Sequence, residues 1–344
     1  MRKIGFKNRN ALHKGLLSVL AVAMLSLVML LGAACGVTSS PSGEEAAHSD
    51  LRVVGYLPDW SYRAYENMDF TRMTHINIAF CNPSGSGGLS CGIPDNDLRA
   101  IVTKAHKAGA KVIAALGGGG YCEPYRELIA TETSRQTLND NIEAFCEKFD
   151  LDGVDLDIEL ASSDSIWKNY PSWISGLRTL CDSHGWLLST ATAQWVAGST
   201  SKETFALFDY VNVMAYDDDG DPSSHSSYEF AVACIEYFHV QKGVPAKDVV
   251  LGVPFYGRGY DNSGNLDWNS YKSFAEIVQA NASLYESDVY NGVAYNGAQT
   301  MRKKCALARD YGGIMIWEVT LDAGGDYSLL KLINSELYSP SVEV

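Results

Sequence analysis

The sequence predicts a (β/α)8 TIM barrel. Short apolar runs rich in β-formers recur from residue 52 onward, and amphipathic helical patterns separate most of them. The alternation occupies roughly 290 residues, a length that barrel domains commonly reach. Parallel strands need long crossover connections, which the intervening patterns supply. The eight runs lie at 52–56, 75–80, 111–116, 153–159, 187–192, 210–216, 249–254 and 313–317. Helical patterns fill 97–108, 137–149, 170–182, 228–240, 300–310 and 328–337; the links after the first and fifth runs are less clearly helical. A doubly wound open sheet is the alternative architecture. It finds little support, because no Gly-x-Gly-x-x-Gly follows the first run and the glycine tract 117–120 lacks the Lys-Ser/Thr of a phosphate loop.

The fourth run carries the most chemistry. In Asp152-Gly-Val-Asp-Leu-Asp-Ile-Glu159, three carboxylates, Asp155, Asp157 and Glu159, occupy every second position. Side chains alternate faces along a strand, so the three point one way at spacings of about 6–7 Å, while Val154, Leu156 and Ile158 form an apolar opposite face. Three like charges on one buried face resist joint ionisation, so at least one group holds a proton near neutral pH. The pattern points to Glu159 as an acid, with Asp157 and Asp155 as its electrostatic support.

In a barrel, active sites lie at the C-terminal strand ends. Those ends carry Tyr56 and Trp60, Phe80, the glycine tract, Asp157 and Glu159, Gln194 and Trp195, Tyr216 and Asp217, Tyr256 and Arg258, and Trp317 and Glu318. Carboxylates mixed with aromatic faces suit a carbohydrate, since rings stack on the apolar faces of sugars while acids and amides take the hydroxyls.

These residues resemble the chitinase-like glycoside hydrolase family 18. The family's Asp-Gly-x-Asp-x-Asp-x-Glu signature matches residues 152–159 without a gap. Asn-Val-Met-Ala-Tyr-Asp at 212–217, Leu-Gly-Val-Pro-Phe-Tyr-Gly-Arg at 251–258 and Gly-Gly-Ile-Met-Ile-Trp-Glu at 312–318 follow in order, and the likeness extends over 53–337. It implies retaining, substrate-assisted hydrolysis of β-1,4 bonds at N-acetylglucosamine units in chitin or chito-oligosaccharides. Glu159 would protonate the glycosidic oxygen, and the substrate's own acetamido oxygen would attack. Asp157 would orient the acetamide, Asp155 would share a proton with Asp157, and the Tyr216 hydroxyl would hold the acetamido oxygen. Trp317 would floor the sugar site, with Asp217, Tyr56, Met214 and Arg258 as further binding residues. An endo-β-N-acetylglucosaminidase acting on N-glycans would share the same centre. A non-catalytic chitinase-like sugar-binding lipoprotein is the non-enzymatic alternative. Two positions depart from the family pattern. Ala115 stands where Ser-x-Gly-Gly usually begins, so the acid pair is expected to titrate differently without loss of activity. Ile158 replaces the frequent Trp or Tyr, with consequences for packing only. The segment 261–298 is expected to be about half loop. The insertion between strand seven and its helix should therefore be short or absent, leaving a shallow, open groove.

The flanks read differently. Residues 1–14 carry Arg2, Lys3, Lys7, Arg9 and Lys14 and no acid, and 15–34 are continuous in apolar and small residues. This is a signal-peptide layout over 1–35, followed by a flexible tether over 36–50 and the catalytic barrel over 51–340. Cys35 after Leu-Gly-Ala-Ala resembles a bacterial lipoprotein lipobox, with Gly32 where a Leu-like residue is usual. Ordinary cleavage or an uncleaved anchor are the alternatives. The expectation is an exported protein at the bacterial cell surface, lipid-anchored through Cys35 or else secreted.

The net charge of −14 becomes −19 once the five leader cations are removed (−14 less 5). Such acidity argues against nucleic acid or other polyanions as partners and is compatible with a neutral substrate. Without Cys35, seven cysteines remain, an odd number. Cys81 and Cys91 bracket a Gly/Ser-rich loop and are either a local disulfide or free thiols; Cys146, Cys181, Cys234 and Cys305 lie in helical patterns as buried thiols. The seven histidines are scattered and no CxxC pair occurs, so neither a metal nor another cofactor is expected. A monomer is expected.

Overall fold

A computed structural model describes residues 50–338, apart from 85, 86, 222, 223, 262 and 264. The expected signal segment, Cys35 and nearly all of the tether lie outside the described residues. Eight parallel strands close into a barrel: β1 (Arg52–Pro58), β2 (His75–Ala79), β3 (Lys111–Gly117), β4 (Gly153–Asp157), β5 (Leu187–Thr192), β6 (Tyr210–Val213), β7 (Val249–Pro254) and β8 (Gly313–Trp317). Each pairs with its sequence neighbour, and β8 closes on β1 through Arg52 opposite Gly313. The crossover helices are α1 (Asp95–Lys107), α2 (Glu132–Phe149), α3 (Tyr170–His184), α4 (Tyr228–Glu236) and α5 (Ala298–Ala308), and α6 (Leu329–Tyr338) follows the last strand. The links after β1 and β5 are only short turns of helix, at Asp59–Glu66 and Phe70–Arg72 and at Gln194–Ala197 and Lys202–Phe205. Among the described residues no helix is long and apolar enough to cross a membrane.

Period-two alternation builds two cores. Val154, Leu156 and Ile158 of the fourth run join the large apolar layer between strands and helices. The inward positions form a smaller core inside the barrel from Val54, Tyr56, Ala115, Tyr210, Val250 and Met315. Asp155 sits within that interior, level with Ala115 on β3 and Ser189 on β5. Ile158 packs into the outer core and is buried, as its sequence position implies.

Two expected strands stop early. The β4 ladder ends at Asp157, whose carbonyl accepts from Gly118 N at 2.7 Å, so Glu159 stands beyond the last paired residue. The sixth ends at Val213, and the chain then turns through Asp217 with φ at 57°. Gly117 makes the β3–β4 approach possible: its φ is +104°, and an added Cβ would lie 2.1 Å from the Asp157 carbonyl oxygen. Gly118, at φ +90°, leaves room for the Phe80 ring, which an added Cβ would meet at 2.4 Å.

The insertion after β7 is short, and about half of it lies in strands and helix, as expected. Between Pro254 and α5, strands Leu266–Ser273, Tyr256–Tyr260, Val293–Ala294 and Val289–Tyr290 form a small sheet in that order, with a helix at Phe274–Ala280. A capping box between Ser273 and Glu276 starts that helix. Fully buried Lys304 on α5 fastens the unit, its Nζ donating to Asn296 Oδ1 at 2.7 Å and to Ser226 O and Oγ at 2.9 and 2.7 Å. All seven described cysteines are free thiols.

Candidate active site

The site begins with a buried carboxylate that never reaches the cavity. Asp155, 0% exposed, accepts from Tyr56 Oη at 2.6 Å, Ser189 Oγ at 2.6 Å and Asn212 Nδ2 at 3.2 Å. Burial pushes its pKa up, while the bonds from Ser189, Tyr56 and Asn212 pull it back. The serine hydroxyl missing at position 115 is thus matched from the other flank. Ala115 and Ser189 are the register partners of Asp155 on its two sides, and the donor stands on β5 instead of β3.

Asp157 is one step nearer the solvent and is 4% exposed. Its Oδ1 has no hydrogen-bond partner among the described residues. Burial raises its pKa well above the ordinary range, with the charges of Glu159 and Asp155 adding to the rise. Burial likewise pushes Glu159 up to about 7, and Asp217 contributes. Near neutral pH this short stretch therefore holds protons that isolated carboxyls would have lost.

The backbone of Glu159 is held from an unexpected side. Its N–H donates to Cys122 Sγ at 3.2 Å, and that thiol donates toward the carbonyls of Asp157 and Gly118, each at 3.4 Å. Cys122, in the loop after β3, thereby ties the glycine tract to the end of β4.

The β6 end supplies Met214, Tyr216 and Asp217. Tyr216 is buried, its hydroxyl 3.9 Å from Met315 Sδ. Burial, then the charges of Asp157 and Glu159, keep the phenol protonated. Asp217 Oδ1 receives Arg258 Nη1 and Tyr256 Oη, both at 2.9 Å, and faces His225 Nδ1 at 3.3 Å. Burial alone would raise the Asp217 pKa, but His225 and Arg258 outweigh it and hold the group below its usual value.

These groups surround a cavity of about 350 Å³ that includes Asp157, Glu159, Met214, Tyr216, Asp217 and Trp317 in its walls. Trp317 lies near-parallel to Phe80 at 5.8 Å and meets Tyr56 and Trp60 at steeper angles. A second cavity of about 800 Å³ shares Glu159, Tyr216 and Asp217 and continues past exposed Trp195 to Asp218 and Asp219. A third, of about 370 Å³, shares Trp60, Phe80, Asn82 and Tyr121 and extends to Asp59, Ser84 and Ser90. Glu159 stands where the first two meet, with cavity on both sides of it.

The sequence-predicted residues fall into two groups. Glu159, Asp157, Tyr216, Trp317, Asp217, Met214 and Tyr56 all reach the central cavity. Asp155 and Arg258 do not. Arg258 is 1% exposed and acts on the site through Asp217, so its expected contact with substrate is corrected to a supporting one. Tyr56 reaches the cavity wall, but its hydroxyl is spent on Asp155. Ser189, Cys122, Asn82, Tyr121 and Tyr271 escaped sequence reading. Tyr271, stacked on Tyr256 at 4.9 Å, comes from the insertion, where no strand-end rule points to it. Among the described residues, the grouping that could share a metal ion is Glu143, Glu147 and His184, on α2 and α3 in the outer helical layer.

A closed (β/α)8 barrel with a proton-retaining acid at the end of β4, set in an aromatic groove, has the architecture of a glycoside hydrolase. The chain belongs to the glycosyl hydrolases family 18, whose sequence model matches residues 52–322. It is 25% identical over 405 aligned positions to Chitinase A1 of Niallia circulans, covering 82% of this chain and 58% of that protein. It thus spans little more than half the length of that relative. Among solved structures, the GH18 chitinase ChiB from the chitin utilization locus of Flavobacterium johnsoniae superposes with a TM-score of 0.75 at 30% identity, over 84% of this chain and 94% of that one. A chitinase from Bacteroides thetaiotaomicron gives 0.74 at 27% identity, over 86% and 99%.

Proposed function

We propose that this chain hydrolyses β-1,4 bonds at N-acetylglucosamine units of chitin or chito-oligosaccharides, with retention and with the substrate supplying the nucleophile. One observation carries the reading: among the described residues, neither of the other carboxylates lining the central cavity with Glu159, nor Asp155 beneath it, is free to attack. Asp155 is sealed beneath three donors, Asp217 is held by Arg258 and Tyr256, and Asp157 retains its proton. A protonated carboxyl is a poor nucleophile, so the attacking oxygen comes from the acetamido group of the sugar. Glu159, with a pKa of about 7, protonates the leaving oxygen. Asp157, whose Oδ1 is unpartnered among the described residues, takes the acetamido N–H and shares its proton with Asp155 as positive charge develops on the ring. The Tyr216 hydroxyl, which among the described residues meets the Met315 sulfur at 3.9 Å, holds the acetamido oxygen. Trp317 floors the distorted sugar, while Met214 and Asp217 line it.

The chain is further proposed to act as a monomer outside the cell, lipid-anchored through Cys35. Mass analysis of the native N-terminus tests the anchor, and an unmodified Cys35 overturns it.

The activity test incubates the protein with chito-oligosaccharides and follows the anomeric form of the fresh products by proton NMR. Shortened oligomers appearing first as the β anomer are expected. An initial α anomer would refute the substrate-assisted route. Intact chito-oligosaccharides together with glycans released from an N-glycoprotein would assign the endo-β-N-acetylglucosaminidase reading instead. Binding with no cleavage of either would make the protein a lectin.

A further inference from the structure

The hairpin that walls the far end of the groove carries two thiols in register. Its strands, Asn82–Pro83 and Leu89–Ser90, pair antiparallel with Asn82 opposite Ser90 and Pro83 opposite Leu89. Continuing that register outward places Cys81 opposite Cys91. Ladder bonds alternate along an antiparallel pair. Ser84 N donates to Gly88 O, which makes 84/88 a bonded pair and 82/90 the next. The 81/91 pair is then of the non-bonded kind, in agreement with Cys81 N donating instead to Ala115 O of β3 at 2.7 Å. Non-bonded partners bring their Cα atoms to about 4.5 Å, inside the span a disulfide bridges.

The two thiols also differ in the way that a stepwise oxidation needs. Cys81 is fully buried, and burial pushes its thiol well up. Cys91 is half-buried, and its contact with the Cys81 thiol draws it below the ordinary value. The other five described thiols are buried, and those of Cys122, Cys146, Cys181, Cys234 and Cys305 are all pushed up to about 12 or beyond.

We propose that Cys81 and Cys91 are a modification site, joined as a disulfide by exchange with a small-molecule disulfide, and that this bond clamps the hairpin at the groove's end. The Cys91 thiolate attacks one sulfur of the oxidant and expels a thiolate, leaving a mixed disulfide on Cys91. Cys81 sulfur then displaces the second oxidant thiolate and closes the bond. The two cysteines lose two electrons and two protons, and the oxidant is reduced to two thiols. The clamp acts on the groove through the residue beside Cys81. Asn82 accepts from Gly117 N at 2.7 Å and donates to Gly117 O at 2.9 Å, so the hairpin root is continuous with the glycine tract under the central cavity.

The full chain is treated with oxidised glutathione while folded, then denatured, capped with iodoacetamide, cleaved and weighed. The expected product is a linked peptide pair containing Cys81 and Cys91, two hydrogens lighter than the free pair, with the remaining described thiols capped. The oxidised protein should melt roughly 5 °C or more above the reduced one. Cys91→Ser should abolish that difference while leaving the reduced protein's melting point unchanged. Iodoacetamide on both Cys81 and Cys91 after oxidation overturns the proposal, as does a stable glutathione adduct on Cys91 with Cys81 capped.

Discussion

Replacing Glu159 with Gln should abolish turnover and, at alkaline pH, make the protein more stable. The side chain's pKa is about 7 in the folded barrel against 4.5 for an ordinary glutamate, with burial the larger cause and Asp217 the smaller. A carboxyl raised on folding contributes stability that is fully present below the unfolded pKa and is lost as pH climbs through the folded one. For Glu159 that loss runs from about pH 4.5 to about pH 7. At 1.36 kcal/mol per pKa unit it amounts to ~3 kcal/mol. Gln has no proton to lose, so the variant escapes the penalty. Wild type and Glu159→Gln should unfold alike near pH 4, and by pH 8 the variant should lead by ~3 kcal/mol, or roughly 6–10 °C in melting temperature. Hydrolysis of a chito-oligosaccharide bearing a fluorescent leaving group should meanwhile fall by roughly 10²–10⁴-fold, the usual contribution of a positioned acid. Urea or thermal unfolding at both pH values, run beside that assay, reads both effects. Equal stability at pH 8 would refute the argument that burial loads this carboxyl with its proton. Equal rates would remove Glu159 from the chemistry.

Other perturbations separate the supporting residues. Asp217→Asn removes the charge that helps keep the proton on Glu159, so the alkaline limb of the kcat/KM profile should move to lower pH. An unmoved limb would mean that the two groups do not communicate. Ser189→Ala takes away a 2.6 Å bond to a buried carboxylate, worth about 1.5–3 kcal/mol, and should lower kcat at least tenfold with KM little changed. Adding Ala115→Ser to that variant should recover much of the loss, because position 115 flanks Asp155 from the opposite strand. No recovery would mean that the hydroxyl's place matters as well as its presence. Tyr216→Phe should cut kcat by roughly 10²-fold, as for other donors aimed at a reacting oxygen, with melting unchanged; an unaltered kcat would free Tyr216 from its proposed role.

The barrel and the core of its site were legible because both are written at short range. The Asp152–Glu159 alternation needs only the period of a strand to place Asp155 and Asp157 inward, and Tyr216, Asp217 and Trp317 sit at strand ends that the apolar runs mark by themselves. What stayed hidden depends on register between strands or on loops folding back. Nothing in the local sequence distinguishes Ser189 from any strand serine until β4 and β5 are aligned. Cys122 looks like an odd cysteine in a glycine-rich loop until its sulfur is found under the Glu159 amide. Arg258 was read at the right strand end but in the wrong role, because sequence does not show that its guanidinium turns inward to Asp217. The short length of the insertion was legible from the chain available, but its cross-strand pairing with Tyr256–Tyr260 was not, because it depends on register between strands.

That pairing determines where this chain can change length. The strand Tyr256–Tyr260 carries both Tyr256 and Arg258, which fix the carboxylate neighbouring the acid, and at the other end of the insertion Asn296 is moored to Lys304. Shortening the insertion at either root would reset the pH at which Glu159 gives up its proton. In the turn between Tyr260 and Leu266, Asp261 Oδ1 accepts from the backbone N–H groups of Ser263 and Asn265 at 2.8 and 2.9 Å. A designer grafting a longer wall onto this barrel should therefore cut at that turn and leave both roots intact.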